Sequence, residues 1–192
     1  MTGIPAITSA VVTLVSVVGC AEDAPDEVPT ESAAVSLALD DLRTATSCPV
    51  GIDGSTLPES LDLGDAADVS VVEYGAAVQV VCQFPVVGAA PAQEVQVMLV
   101  VAPSDTDVFS VESASGGTWA NVIYNETGVD PARLEQSVSE LAGEEAEILE
   151  GNGESLAVRS IEVADAGSGL LLVYGDDTRT GDELAAVASA LG

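Results

Sequence analysis

The sequence predicts an α+β domain, in which an antiparallel sheet of about five to seven strands has about three helices packed on one face. Runs of alternating apolar and polar residues at 69–74, 77–84 and 94–101 have the period of half-buried strands. Segments at 131–141 and 180–191 place apolar residues at helical spacing. Apolar residues make up 47% of the 192-residue chain, which is enough to form a sizeable core.

The first helix is predicted at 32–46. Val35, Leu39 and Leu42 lie at positions i, i+4 and i+7, which places them on one face of a helix. Prolines and glycines are frequent in residues 49–67, so this stretch is predicted to be an irregular connection between the helix and the sheet.

Three strands follow the connection. The strands at 69–74 and 77–84 flank Gly75-Ala76, which we predict to be a hairpin turn. The strand at 94–101 comes after a loop, and its alternation is typical of an antiparallel strand with one buried face. The side chains expected to point into the core are Val95, Val97, Leu99 and Val101.

A further strand and a helix are predicted next. Residues 119–124, WANVIY, favour a strand because they include aromatic and β-branched side chains. Asp130 is then expected to cap a helix that has Pro131 at its first position and ends at Gly143. The predicted buried stripe of this helix consists of Leu134, Val138 and Leu141.

The chain ends with two strands and a helix. The strands are predicted at 156–163 and 169–174, with a turn between them at 164–168. Thr180 and Glu183 have the spacing of a capping box, which marks the start of the last helix. The apolar stripe of this helix is predicted to be Leu184, Val187 and Leu191.

The chain is strongly acidic. It has 32 Asp and Glu residues and a formal charge of −28, and its cations are four arginines: Arg43, Arg133, Arg159 and Arg179. Such a surface repels phosphate groups, which excludes nucleic acid as a partner. High net charge usually serves to keep a protein soluble. The alternatives are a high-salt environment or a polycationic partner.

Histidine is absent from the sequence. Its absence excludes Ser-His-Asp and Cys-His catalysis, zinc and haem sites with histidine ligands, and a histidine proton switch. The chain also has no G-x-S-x-G nucleophile elbow and no G-x-x-x-x-G-K-[ST] phosphate loop. We therefore predict no catalytic residues, no metal site and no cofactor.

An apolar run near the start of the chain ends in Val17-Val18-Gly19-Cys20. As a helix, the run from Ile4 to Val18 would span roughly 22 Å, which is shorter than the ~30 Å hydrocarbon core of a bilayer. The four residues resemble the lipobox of bacterial lipoprotein signal peptides. No Lys or Arg precedes the run, although signal peptides usually start with positive charge. The alternative is a buried N-terminal helix or strand.

The resemblance implies that the chain has three parts. Residues 1–19 are expected to be a signal peptide, and residues 20–31 an acidic linker anchored to the membrane by lipid on Cys20. Five acids and two prolines in residues 21–31 favour an extended tether. Residues 32–192 would then form a single α+β domain on the outer face of the cell membrane. The composition also resembles that of small extracytoplasmic lipoproteins of high-GC Gram-positive bacteria.

Lipidation of Cys20 would leave Cys48 and Cys82 as an even pair in an oxidising compartment. We therefore predict a disulfide that joins the end of the first helix to the second strand. Closing such a loop stabilises a fold by about 3–4 kcal/mol on the chain-entropy model. Two buried free thiols are the alternative.

Three functions are compatible with these features. A non-enzymatic domain that binds an envelope protein, a peptide or a small ligand is the favoured hypothesis. A cell-wall hydrolase that uses two carboxylates needs no histidine, but it needs a cleft. Weak calcium binding is the third, although solvated acidic loops are the usual explanation of such clusters. The acidic clusters concerned consist of Asp105 and Asp107, and of Asp176, Asp177, Asp182 and Glu183.

Overall fold

The computed structural model describes residues 38–89, 93–112, 116–141, 145–163, 167–176 and 178–191. A single six-stranded sheet occupies the centre of these residues, with helices packed against it. In chain order the elements are α1 (Leu39–Arg43), a 3₁₀ turn (Gly54–Thr56), β1 (Asp68–Tyr74), β2 (Ala77–Pro85), β3 (Glu94–Val101), α2 (Trp119–Thr127), α3 (Pro131–Glu140), β4 (Glu147–Glu150), β5 (Ser155–Val163), β6 (Gly167–Gly175) and α4 (Gly181–Ala190).

The sheet is antiparallel throughout, with the strand order β1-β2-β3-β6-β5-β4. Each half of the chain therefore contributes a three-stranded meander, and the two meanders meet where β3 pairs with β6. Met98 lies opposite Leu172 at this central pairing. The predicted α+β class and the predicted number of strands are confirmed.

Helices cover both faces of the sheet, so the prediction that they pack on one face is wrong. On the first face, α1 and α4 pack over side chains such as Val97 and Leu171. On the second face, α2 and α3 pack over side chains such as Met98 and Leu172. The central strands are buried at consecutive positions, so both of their faces need a cover. The alternation of apolar and polar residues in the sequence suggested that only one face of the sheet was apolar.

Five of the six predicted strands and the first hairpin are observed within one or two residues of their expected limits. Tyr74 pairs with Ala77, so Gly75-Ala76 forms a two-residue hairpin turn. Gly75 has a φ of 57°, which glycine adopts without steric penalty.

Both predicted helix starts in the second half are confirmed. The Asp130 side chain accepts hydrogen bonds from the N–H groups of Ala132 and Arg133, and Pro131 is the first residue of α3. At α4, Thr180 and Glu183 form the reciprocal bonds of a capping box. The first predicted helix is shorter than expected within the described residues, because α1 ends at Arg43 rather than at 46.

The prediction of a strand at 119–124 is wrong, since these residues belong to helix α2. The Thr118 side chain accepts a hydrogen bond from the N–H of Asn121 and caps the helix, and Gly128 ends it in the left-handed conformation. The stripe Trp119, Ile123 and Thr127 is buried, and this helical spacing outweighed the strand propensity of single residues.

Strand β4 was not predicted. It contains only the four residues Glu147–Glu150 and pairs with β5 at one edge of the sheet. Its sequence, EILE, lies in an acidic stretch, so too few apolar positions remained to show a period.

Several predicted features lie outside the described residues. They are the signal peptide at 1–19, Cys20 and the linker at 20–31, Val35 of the first helix, Gly143, and the centre of the turn at 164–168. In the part of the chain that the structure does describe, no helix is long and apolar enough to cross a bilayer.

Candidate functional site

The predicted disulfide between Cys48 and Cys82 is present, with a Cα–Cα distance of 5.7 Å. Cys82 lies on β2 with its side chain in the core, and Cys48 lies in the segment that follows α1. The bond therefore fixes the start of the irregular connection to the middle of the first meander.

A cleft of about 630 Å³ opens beside this disulfide. Its walls come from residues 46–57, from residues 63–69 and from Phe84 of β2. Cys48 itself is part of the lining. A volume of this size is in the range of small-molecule sites in proteins.

The cleft exists because the cover of the first sheet face is incomplete. Helix α1 is only five residues long and packs against β1 and β2, whereas α4 packs against β4, β5 and β6. The irregular connection fills the space between the two helices and leaves aliphatic side chains only half-buried. Those that both contact the core of this face and line the cleft include Ile52, Leu57, Leu63 and Val69.

Hydrogen bonds hold the walls of the cleft in place. Ile52 forms an isolated bridge with Leu191, and the N–H of Asp53 donates to the carbonyl of Ala190 at 3.0 Å, which ties one wall to α4. On the other side, the N–H of Gly64 donates to the carbonyl of Pro85 at 2.9 Å. The cleft is thus built on backbone contacts to regular elements on both sides.

The 3₁₀ turn in this wall is capped by Asp53. Its carboxylate accepts hydrogen bonds from the Ser55 hydroxyl at 2.7 Å and from the Ser55 N–H at 3.0 Å. Both hydrogen bonds lower the pKa of Asp53 below its ordinary value, and the bond from the Ser55 hydroxyl has the larger effect. The group therefore remains charged at neutral pH and acts as a cap rather than as a proton donor.

The chain segment that supplies most of the cleft wall is acidic. Residues 46–68 contain five acids and no Lys or Arg. All five are exposed, and two of them, Asp65 and Asp68, line the cleft. The acids are Asp53, Glu59, Asp62, Asp65 and Asp68.

All four arginines of the chain make contacts within the fold. Arg43 lies 3.8 Å from the Glu73 carboxylate and donates to the carbonyl of Ala76. Arg133 donates to the carbonyl of Glu150, and Arg159 donates to the carbonyl of Leu191 at the end of α4. Arg179 contacts Asp176 and Glu183 and donates to Gln93. The cations thus link elements of the fold, and none of them lines the cleft.

The two acidic clusters considered as calcium sites contain turn and helix caps. The Asp107 carboxylate accepts from the N–H of Phe109, and that of Asp176 accepts from the N–H of Thr178. Glu183 belongs to the capping box, and Asp177 lies outside the described residues. Among the described residues, no group of three or more acidic or cysteine side chains is arranged to hold a metal.

A second polar feature lies on the opposite face of the sheet. The Tyr174 hydroxyl donates to Oε1 of Gln96 at 2.9 Å. Burial raises the pKa of Tyr174, and the carboxylates of Glu126 and Glu94 raise it further. The phenol therefore stays neutral and serves as a buried hydrogen-bond donor.

The residues of the cleft were not singled out from the sequence, apart from Cys48. The stretch 49–67 lacks any periodic pattern, so its half-buried aliphatic side chains could not be distinguished from exposed loop residues. The available signal was the frequency of Leu, Ile and Val in a stretch that also contains prolines and glycines. Asp65 and Asp68, the two acids that line the cleft, are both exposed, so among the described residues of the cleft they do not form the buried, facing pair of carboxylates that the hydrolase hypothesis requires.

Comparison of the chain with protein-family models, with characterised proteins and with solved structures finds no match to any of them.

Proposed function

We propose that this protein is a membrane-tethered extracytoplasmic lipoprotein whose folded domain binds a ligand without catalysing a reaction. The observation that carries the proposal is the cleft beside the Cys48–Cys82 disulfide. The cleft offers a concave site of ligand size. The disulfide fits an oxidising compartment outside the cytoplasm.

The membrane anchor is supported by the sequence Val17-Val18-Gly19-Cys20 and by the acidic residues that follow it. A lipid on Cys20 would hold the domain at the membrane surface, and residues 21–31 would act as its tether. The remaining two cysteines form a bond with each other, so Cys20 has no partner cysteine within the chain.

A binding role is supported by the chemistry of the cleft. Its lining consists of aliphatic side chains, glycines, short polar residues, Phe84 and two exposed acidic residues, Asp65 and Asp68. These groups can attract and orient a ligand.

The anchor is tested by expressing the full-length chain in a bacterium that processes lipoproteins and supplying a clickable fatty acid. The protein should appear in the membrane fraction and carry the label. Cys20→Ala should remove the label and release the protein from the membrane. Cys48→Ala/Cys82→Ala is the matched control, because it removes the other cysteines and should leave both the label and the membrane location unchanged.

A Cys20→Ala variant that stays in the membrane fraction would show that the apolar run itself is the anchor. An unlabelled wild-type protein would contradict lipidation. Either result would overturn the lipoprotein assignment.

A further inference from the structure

We infer that Asn152 is a site of spontaneous deamidation, which converts its side-chain amide into a carboxylate and gives an isoaspartyl backbone linkage in part of the molecules. Asn152 lies in the hairpin loop 151–154 between β4 and β5, at the edge of the sheet farthest from β1. None of the loop residues lines the cleft, so the inference goes beyond the proposed function and does not depend on it.

The reaction needs only the chain and water, because Asn152 is followed directly by Gly153. The backbone nitrogen of Gly153 attacks Cγ of the Asn152 side chain, a C–N bond forms, and the Cγ–Nδ2 bond breaks. The leaving NH2 group takes up the proton lost from the Gly153 nitrogen and departs as ammonia, which leaves a cyclic succinimide. Water then opens the ring at either carbonyl and yields aspartate or isoaspartate. Nothing is oxidised or reduced in these steps.

The attacking nitrogen of Gly153 is free of hydrogen bonds and of steric obstruction. In the described part of the chain its N–H donates to no acceptor, whereas the N–H of Gly151 donates to the carbonyl of Glu154 at 2.8 Å. A Cβ added at Gly153 would meet no atom within 4 Å, so the space around this backbone is open. Asn152 and Gly153 are both exposed to water. An attack within one molecule is fast when the reacting groups can approach in this way.

The other two asparagines of the chain, Asn121 and Asn125, are placed differently. Both are exposed, but both lie within helix α2. The nitrogen that would attack Asn121 belongs to Val122, and its N–H donates to the carbonyl of Thr118 at 3.2 Å. The N–H that follows Asn125 is engaged in the same way by the helical pattern. The residues after both asparagines also carry side chains that crowd the attack, so the structure favours reaction at Asn152.

The position of Asn152 gives the modification a structural consequence, because the loop packs closely against the end of α2. A Cβ at Gly128 would lie 2.7 Å from the backbone nitrogen of Asn152, and one at Gly151 would overlap the carbonyl oxygen of Thr127. An isoaspartyl linkage sends the backbone through the side chain and lengthens it by one methylene group. Closely packed contacts have no free space for such an insertion. Isoaspartate at this position should therefore loosen the junction between α2 and the β4–β5 hairpin.

Peptide mapping by mass spectrometry tests the inference on the purified full-length protein. Samples are kept in mildly alkaline native buffer and digested at intervals, and each asparagine is followed by the mass change that accompanies exchange of NH2 for OH. Deamidation at Asn152 should be at least about tenfold faster than at Asn121 or Asn125. It should be slower in neutral buffer, because the attacking nitrogen must lose its proton to a base. An isoaspartyl methyltransferase should label the aged protein.

Matched variants assign the signal to this residue and separate charge from backbone length. Asn152→Gln should remove the isoaspartyl label, because its longer side chain disfavours ring closure, and the control Asn125→Gln should leave the label unchanged. Freshly purified Asn152→Asp carries the new charge on an unaltered backbone, so its melting temperature should stay close to that of wild type. The isoaspartyl fraction of aged wild type, separated by chromatography, should melt at a lower temperature.

Equal rates at the three asparagines in native buffer would overturn the inference. Reaction of Asn152 in urea but not in native buffer would overturn it as well, because the hairpin would then protect the amide. An isoaspartyl fraction that melts with Asn152→Asp would refute the loosening of the junction with α2. None of these results bears on the lipoprotein assignment, which is measured separately by fatty-acid labelling of Cys20.

Discussion

Nε1 of Trp119 donates a hydrogen bond of 3.0 Å to Oε1 of Gln79, and both side chains are buried. The bond joins α2 to β2 on the face of the sheet opposite the cleft. Phe109 contacts the indole edge-to-face, with ring centroids 5.6 Å apart. The single tryptophan of the chain is thus fixed by one polar and one aromatic partner.

Gln79→Leu should lower the free energy of unfolding by about 1–3 kcal/mol, because it leaves the indole N–H buried without a partner. Urea titration followed by the fluorescence of Trp119 measures the change. Gln83→Leu alters a half-buried glutamine on the same strand and should change stability by less than about 0.5 kcal/mol. Equal decreases in the free energy of unfolding of both variants would show that the Trp119–Gln79 hydrogen bond makes no specific contribution to stability.

Removal of the disulfide by Cys48→Ala/Cys82→Ala should lower the free energy of unfolding by about 3–4 kcal/mol. The bond closes a sequence separation of 34 residues, which restricts the unfolded chain. Urea titrations with and without reductant provide the measurement. The free energy of unfolding of Cys20→Ala should still fall when reductant is added, whereas that of the double variant should not change. A reductant effect on the double variant would contradict the assignment of the disulfide to Cys48 and Cys82.

Gly128→Asn should destabilise the protein by about 2 kcal/mol or more, while Gly75→Asn should have little effect. Both glycines have positive φ, 67° and 57°, and asparagine tolerates this conformation better than most residues. A Cβ at Gly128 would lie 2.7 Å from the backbone nitrogen of Asn152, whereas one at Gly75 meets nothing within 4 Å. Comparing the melting temperatures of the two variants separates the effect of close packing from that of backbone conformation. Similar decreases in both variants would contradict the role of the close contact with Asn152.

The capping box of α4 should make stability depend on pH through Glu183. The hydrogen bond from the Thr180 backbone is the main cause that lowers the pKa of Glu183 below its ordinary value of 4.5. A lowered pKa in the folded state means that its stabilisation is present above the unfolded value and is lost as pH falls through the folded value. Wild type should therefore exceed Glu183→Gln in melting temperature at neutral pH, and the difference should shrink below about pH 4.5.

Asp182→Asn is the control for this pH dependence, because Asp182 is an exposed acid in the same first turn of α4. The difference in melting temperature between Asp182→Asn and wild type should not show the pH dependence expected for Glu183→Gln. A wild-type advantage over Glu183→Gln that stays constant from neutral pH to about pH 3 would contradict the role of the carboxylate charge.

The sequence was most informative where local chemistry determines structure. Asp130 with Pro131, and Thr180 with Glu183, specify helix starts through side chains that bond to the adjacent backbone, and both were predicted correctly. The hairpin at Gly75-Ala76 is local in the same sense. Helix α2 was predicted wrongly because Trp119 and Ile123 have strand propensity, while their burial on a helix depends on the sheet beneath them.

The cleft was beyond sequence reasoning for a different reason. It results from the distance between α1 and α4, which contact different strands of the same face. The sequence of neither helix shows that the two helices cover different strands and leave part of this sheet face between them. The connection between them is irregular, so Ile52 and Leu63 follow no period that would reveal their common wall.

The meeting of the two meanders at β3 and β6 has a consequence for how the chain reaches its native state. Pairings within each meander join strands that are neighbours in the chain, whereas Met98 and Leu172 are separated by 74 residues. Contacts between distant residues slow folding, because loop closure must precede the gain from pairing. Among the strand pairings of the sheet, that of β3 with β6 therefore carries the largest loop-closure cost.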